Sequence, residues 1–239
     1  MHDDDLAATS ILDFESPSLL QLHAQLSESA TSDLEFLHKA HRYLTSTVTP
    51  VYSLNEWQPA SKTLLLRRGS CSQQMACLEA LARAHRIPTR VRALWIKGAF
   101  WRKRFPILSP VLPRRVLLLW PEFFVEGKWV SFEELFASVQ ELACSSAKPF
   151  LNNAETVFEA IENQAVDFFG KSVAGPCEYK TVDLRSWVIA DDSYFATRDE
   201  ALARYGSLHD TLKGRIFEAV FGNRGRGQSC QLIESAHHE

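Results

Sequence analysis

The chain has 239 residues, of which 46% are hydrophobic and 23% charged, with a formal net charge of −3. That is enough apolar material for a real core, in one domain or one domain with an appended piece. The balance excludes a disordered chain, and no apolar run approaches a membrane span. The N-terminal stretch MHDDDLAATS is acidic, so it reads as neither a secretory signal nor an Arg-rich transit peptide. Five cysteines, Cys71, Cys77, Cys144, Cys177 and Cys230, are scattered without a C-x-x-C pair. A reduced, cytoplasmic setting is the expectation, with Cys77 and Cys144 as core residues and Cys177 and Cys230 without a role. Lys and Arg crowd the segment from Lys62 to Lys128, where the acids are Glu79, Glu122 and Glu126, and the flanks are correspondingly acidic. Such a segment either attracts an anionic partner or pairs with the flanks on folding. The chain as a whole is not basic and carries no nucleic-acid motif, so no nucleic acid is expected.

In chain order, residues 1 to about 15 look loosely attached. Leu19 to Leu26 reads as a short amphipathic helix. Ser32-Asp33-Leu34-Glu35 has the spacing of a capping box and opens a helix to about Leu44, ended by Thr49-Pro50. His38 and His41 lie on that helix but lack carboxylate or cysteine neighbours at metal-ligand spacing, so they read as surface or packing residues and no metal is expected. A loop with Trp57 and Pro59 leads to the most informative stretch, Leu64 to Trp95. There Gly69 turns the chain, Ser70 is placed to cap a helix, and Cys71 falls in its first turn. Met75, Leu78, Ala82 and His85 follow at helical spacing. The positive end of that helix favours thiolate over thiol. Pro88 closes the helix and a strand runs from Arg90 to Ile96, with Val91, Ala93 and Trp95 on one face and Arg90, Arg92 and Leu94 on the other.

Lys97 to Arg115 is irregular, with Trp101, the basic run Arg102-Lys103-Arg104 and three prolines; its content suits either a rim around a site or an ordinary surface insertion. Val116–Val125 and Lys128–Phe132 predict a hairpin turning at Glu126-Gly127. A two-residue turn makes opposite positions sum to 253, which sets Phe124 against Trp129, Trp120 against Glu133, and Leu118 diagonal to Glu133. After about Leu135 the chain reads as mostly helical, with helices at 155–164, 198–205 and 212–221. A Gly-rich break follows at 222–227; it is not a phosphate loop. His237 and His238 belong to the tail.

Gly69-Ser70-Cys71, the Ala- and Leu-rich helix behind it, and the step Arg86-Ile87-Pro88-Thr89-Arg90 into a strand resemble the core of the transglutaminase-like superfamily, relatives of papain-type cysteine proteases. A second block, Leu118-Leu119-Trp120-Pro121-Glu122-Phe123-Phe124 with Gly127, Trp129 and Glu133, is similar to the family's H-x-W-x-E-x-Y hairpin followed by an acid. Two departures stand out: Arg86 replaces the glycine of the I-P step, and Leu118 replaces the histidine. The resemblance covers about Leu64 to Glu134. It implies an α+β fold in which the helix starting at Cys71 packs on an antiparallel sheet, with helical N- and C-terminal additions. The division expected is an N-terminal helical segment at 1–60, the core at 61–140 and an extension at 141–239.

The chemistry it implies is acyl transfer through a thiolate, which needs a nucleophile, a proton carrier, an orienting acid and oxyanion donors. Cys71 supplies the first, and its own N–H suits the last. Glu133 takes the acid's place or acts directly, and Trp120 walls the pocket together with Leu118 and Glu122. Leucine carries no proton, and His85 lies fourteen residues along the same helix, roughly 21 Å away. His41 and His209 remain as unplaced alternatives. Relatives in biosynthetic pathways act on acyl groups carried by phosphopantetheine on acidic carrier proteins. The resemblance therefore implies a small or carrier-bound anionic acyl donor steered by Arg102, Lys103 and Arg104, with no cofactor. A fold kept for binding after loss of catalysis is the other reading the residues allow; a metal or redox role for the cysteines is a distant third.

Overall fold

The computed structural model describes residues 3–104, 112–145, 148–153, 155–172 and 182–222. The chain divides into two compact units, one formed by Met1–Thr89 with Phe195–Glu239 and the other by Arg90–Tyr194.

The first unit is helical. Helix α1 (Pro17–Ser27) buries Leu19, Leu22 and Leu26, the stripe that a 3.6-residue period brings to one side. Helix α2 (Asp33–Thr47) starts where Ser32 accepts the Glu35 N–H, and it buries Phe36, Leu37, Ala40, His41 and Leu44. Glu35 does not close the box on Ser32; its carboxylate takes the Thr31 N–H at 2.8 Å. After strand β1 (Thr49–Pro50) and a loop comes helix α3 (Ala60–Leu66), and strand β2 (Arg68–Gly69) pairs in parallel with β1. Gly69 is needed here because a Cβ would sit 2.7 Å from Thr63 Cγ2. Helix α4 (Cys71–Ala84) packs on α1, α2 and α3. The expected stripe of Met75, Leu78 and Ala82 is buried, but so is every other residue from Ser72 to Arg83. A helix surrounded on all sides shows no clean amphipathic period. Past Ala84, Arg86 takes φ 63° and returns its N–H to the Arg83 carbonyl at 3.0 Å. The residue standing where the family has glycine thus adopts the left-handed conformation that glycine favours, at a cost of about 1 kcal/mol. The unit is completed by α7 (Arg198–Tyr205) and α8 (Leu212–Phe221), whose ends match the sequence reading.

The second unit holds a four-stranded sheet in the order β5-β4-β3-β8, from β3 (Thr89–Lys97), β4 (Arg115–Val125), β5 (Lys128–Ser131) and β8 (Val188–Phe195). The hairpin has the predicted antiparallel register, with Phe124 opposite Trp129 and Glu122 opposite Ser131. Glu126 and Gly127 have φ 52° and 78°, the doubly left-handed turn that suits the twist of a tight hairpin. Pro121 sits one residue before the paired stretch, where β5 has already ended. Behind the strands an aromatic core gathers Trp120, Phe132, Phe158, Phe168 and Phe100, with neighbouring ring centroids 5.4–5.8 Å apart.

After Leu135 the chain is less helical than its sequence pattern predicts. Helices α5 (Val139–Ser145) and α6 (Val157–Ala160) are short, and the expected 155–164 helix shrinks to α6. Strands β6 (Val166–Asp167) and β7 (Val182–Asp183) pair with each other, and β8 joins the main sheet. β8 is exposed along nearly its whole length, so it lacks the apolar alternation that marks a strand in sequence. Cys144, read as a core thiol, is in a disulfide. The middle of the 97–115 loop, the break at 223–227, Cys177, Cys230, His237 and His238 lie outside the described residues. Among the described residues no helix is long and apolar enough to cross a membrane.

Candidate functional site

Cys71 is the first residue of α4 and is not disulfide-bonded; its side chain is partly exposed. The helix start is built by a reciprocal capping box. Ser70 Oγ accepts the Gln73 N–H at 3.3 Å, and Gln73 Oε1 accepts the Ser70 N–H at 2.9 Å. Ser70 was legible as the cap, and its S-x-x-Q spacing also signals the reciprocal half. Gln73 does more than cap: its Nε2 reaches Ser53 Oγ at 3.0 Å and the Asn55 carbonyl at 2.8 Å. The loop from Ser53 to Gln58 is therefore fixed to the first turn of the cysteine helix. Glu218 on α8 holds it from the other side, accepting the Ser53 hydroxyl at 2.8 Å and the Leu54 N–H at 2.5 Å.

Next to Cys71, the Ser72 hydroxyl is bonded to Glu56 Oε2 and accepts from Arg198 Nη1 at 3.0 Å. Arg198 in turn gives Nε to Glu79 Oε1 at 2.6 Å, a buried ion pair in the middle of the helical unit. Burial pushes the Glu56 carboxyl up, against the pull of Ser72 and Arg198, and Glu218 adds to the rise. Burial likewise pushes Glu79 up, with Arg198 opposing. Cys77, the other thiol outside a disulfide among the described residues, is fully buried, and desolvation drives its thiol well above the ordinary range. Glu56, Arg198 and Glu79 gave no signal in sequence, because Arg198 is 119 residues from Glu79.

The other expected site residues belong to the sheet unit. Leu118 and Trp120 are buried in it. Trp120 and Glu133 meet across the hairpin as the register required: Trp120 Nε1 donates to Glu133 Oε2 at 2.5 Å, and Ser131 Oγ bonds the same oxygen. The remaining oxygen, Oε1, is 2.7 Å from Lys171 Nζ, which also reaches Glu134 at 2.6 Å. Lys171 is delivered by a loop wrapped around Asp167. Asp167 Oδ1 accepts the N–H groups of Phe169, Gly170 and Lys171 at 3.2, 2.6 and 3.0 Å. Burial opposes the Asp167 charge, but the bonds from Ser172 and these amides outweigh it and hold the carboxyl low. Burial opposes the Lys171 charge too, and Glu133 and Glu134 overcome it, so the ammonium is held above its usual range.

Glu122 accepts from Arg90 at 2.8 and 2.6 Å and from the Tyr194 hydroxyl at 3.3 Å. Arg90 lies between Trp129 and Tyr194, 4.2 and 4.1 Å from the two ring centroids. Of the basic run, Arg102 and Lys103 are exposed, while Arg104 is half-buried and donates to the Glu155 carbonyl. Among the described residues, no group of three or more His, Cys, Asp or Glu side chains is arranged to hold a metal ion.

Comparison with known proteins gives two findings. Residues 20–134 match the model of the transglutaminase-like superfamily, Transglut_core. A solved structure from Cytophaga hutchinsonii, a "Putative Cysteine Protease", is similar at 18% identity and a TM-score of 0.42 over 55% of this chain and 42% of that one, so this chain spans less than half the length of that protein. No curated protein sequence matches. With Gly69-Ser70-Cys71 at the start of a buried helix and the hairpin ending in Glu133, residues 20–134 of this chain are similar to the core of the transglutaminase-like superfamily.

Proposed function

We propose that the protein is a cysteine-dependent acyl-transfer enzyme that passes an acyl group from a small or carrier-bound donor to an amine, forming an amide, or to water, with Cys71 as nucleophile. The observation that carries this reading is the contrast between the described thiols: Cys71 is reduced and partly exposed at a capped helix start, whereas Cys77 is buried and Cys144 is in a disulfide. The first turn of α4 favours negative charge on Cys71 sulfur and offers backbone N–H groups for a developing oxyanion.

Leu118 stands where the family carries a proton on histidine, and Glu133 is engaged by Trp120, Ser131 and Lys171. Glu133 thus supplies a fixed charge rather than a mobile base. A thioester donor suits such a chain. Cys71 sulfur forms a new bond to the acyl carbon, the donor's C–S bond breaks, and the donor sulfur leaves as a thiolate without needing a proton. An amine or water then attacks the acyl-cysteine, the Cys71 thiolate departs, and the proton passes to solvent. Exposed Arg102 and Lys103 would attract a donor carrying carboxylate, phosphate or an acidic carrier.

The test is intact-mass and peptide mapping of the full chain after iodoacetamide at neutral pH. Cys71 is expected to alkylate at least tenfold faster than Cys77, and Cys71→Ser to abolish the fast phase. An inert Cys71 favours the second reading, a transglutaminase-like core kept for binding, to which buried Leu118 and the hydrogen-bonded Glu122 and Glu133 also point.

A further inference from the structure

The Cys71 site lacks a neighbouring imidazole in sequence, but the helical unit brings a different acid to the start of α4. Glu56 comes from the loop before α3, fifteen residues upstream of Cys71, and its carboxylate is bonded to the hydroxyl of the residue that follows Cys71. Consecutive Cα atoms are 3.8 Å apart, so this bond keeps the Glu56 carboxylate within roughly 11 Å of Cys71 sulfur. We infer that Glu56 is a charge-setting residue for Cys71: as a neutral acid it holds the 53–58 loop on the helix start through Ser72, and as a carboxylate it opposes the thiolate. The inference rests on Cys71 being the nucleophile.

The groups facing Glu56 set its balance. Ser72 on α4 and Arg198 on α7 favour the ionised form, and Glu218 on α8 opposes it. Behind Arg198 stands Glu79, with Arg83 on the same helix. On the loop itself, Trp57 donates to Asp210 at 3.3 Å, and Gln73 secures Ser53 and Asn55. One guanidinium, Arg198, thus serves both Glu79, by an ion pair, and Ser72, the hydroxyl that reaches Glu56. Two negative charges at this separation, at the effective dielectric of a protein surface, bias one another by about threefold to tenfold in ionised population.

The magnitude makes the effect measurable through Cys71 itself. Below the Glu56 pKa, which burial places above 4.5, the acid is neutral and does not oppose the thiolate. Above it, ionised Glu56 retards Cys71, so the alkylation rate climbs less steeply with pH than it would without the acid. The experiment is iodoacetamide alkylation of the full-length protein, read by peptide mass at Cys71 from pH 5.5 to 9, for wild type, Glu56→Gln and Ser72→Ala. Glu56→Gln keeps an acceptor for Ser72 and removes the charge. It is expected to alkylate about threefold to tenfold faster than wild type where Cys71 is only partly ionised and Glu56 carries its charge, and to converge on wild type as the Cys71 thiolate saturates towards the alkaline end. Ser72→Ala removes the hydroxyl that favours the carboxylate, so the retardation is expected to begin at higher pH; this keeps the test decisive should Glu56→Gln fail to fold. Superimposable profiles, or a constant factor at all pH values as a purely structural role would give, overturn the inference and leave the nucleophile standing. An inert Cys71 in all three proteins overturns both.

Discussion

Glu133 is a carboxylate whose side chain is wholly removed from water, so its charge depends on Trp120, Ser131 and Lys171. Removing the cation leaves a buried anion with only neutral donors. Such losses reach about 3–5 kcal/mol when both partners are buried, and because Lys171 is about one-third exposed, about 2 kcal/mol is expected for Lys171→Met. Urea unfolding checks it: a shift in midpoint at constant slope of that size, partly recovered in Glu133→Gln/Lys171→Met, is the expected outcome. A loss under about 0.5 kcal/mol would show that water replaces Lys171 without cost. The Trp120–Glu133 contact was readable, because a two-residue turn fixes which hairpin positions face each other. Lys171 was not, since its approach depends on a loop folded around Asp167 and separated from Glu133 by 38 residues.

Elements meet at one corner of the helical unit through a pair of imidazoles. His23 on α1 and His85, which caps the C-terminus of α4, face each other with Nε2 and Nδ1 3.1 Å apart. Ser27 Oγ is within 3.1 Å of the first ring nitrogen and 3.3 Å of the second, and Phe36 on α2 stacks on His85 at 3.9 Å. Asp33 Oδ1 lies 3.8 Å from His85 Nε2. A ring-to-ring hydrogen bond needs one N–H and one bare nitrogen, so both nitrogens cannot carry protons while it exists. Burial lowers His23, with the facing His85 adding to it; burial lowers His85 despite Asp33. Since both folded values lie below 6.5, the unfolded chain binds more protons in this range. The stability these groups contribute is present above pH 6.5 and is lost as the pH falls through their folded values. His85→Phe keeps the stacking and removes the titration. Thermal melts from pH 7.5 to 5 are expected to fall less for the variant than for wild type, by about 1 kcal/mol, the scale of one hydrogen bond. Equal slopes would remove the pair from the acid response. In sequence His85 looked like one more member of the α4 stripe; its partner sits 62 residues away on another helix.

Across the whole chain, Arg83 gathers the points where the backbone leaves and re-enters the helical unit. It donates to Thr89 Oγ1 at 2.7 Å, to the Thr89 carbonyl at 3.1 Å, to the Ala196 carbonyl at 2.5 Å and to the Ala7 carbonyl at 2.6 Å. Part of the basic excess between Lys62 and Lys128 is therefore structural: Arg83 holds backbone, Arg90 pairs with Glu122 and Arg92 with Asp191. Arg102 and Lys103 remain exposed, as the proposed steering of an anionic donor requires. Reversing both to glutamate is expected to slow acylation by an anionic thioester severalfold at low salt and to flatten its salt dependence, because screening acts over ~8 Å at physiological ionic strength. Cys71 alkylation by neutral iodoacetamide is expected to stay unchanged in the same protein. A rate that ignores both salt and the reversal would leave the basic run without a role in recognition.

What the sequence determined by itself was local: the cap at Ser70, the helix carrying Cys71, the strand after Pro88, the hairpin register around Glu126-Gly127 and the ends of α7 and α8. Each follows from contacts within a few residues, where spacing and turn chemistry decide the geometry. Tertiary structure alone decided that α4 is buried all round, that exposed β8 completes the sheet, and that Glu56 and Arg198 meet at Ser72, the residue after Cys71, with Arg198 also paired to Glu79. Those arrangements join residues far apart in the chain: apolar burial and backbone pairing stabilise them, and ion pairs such as Arg198–Glu79 offset the cost of taking charges out of water. That depends on which elements meet, and no window of sequence contains it.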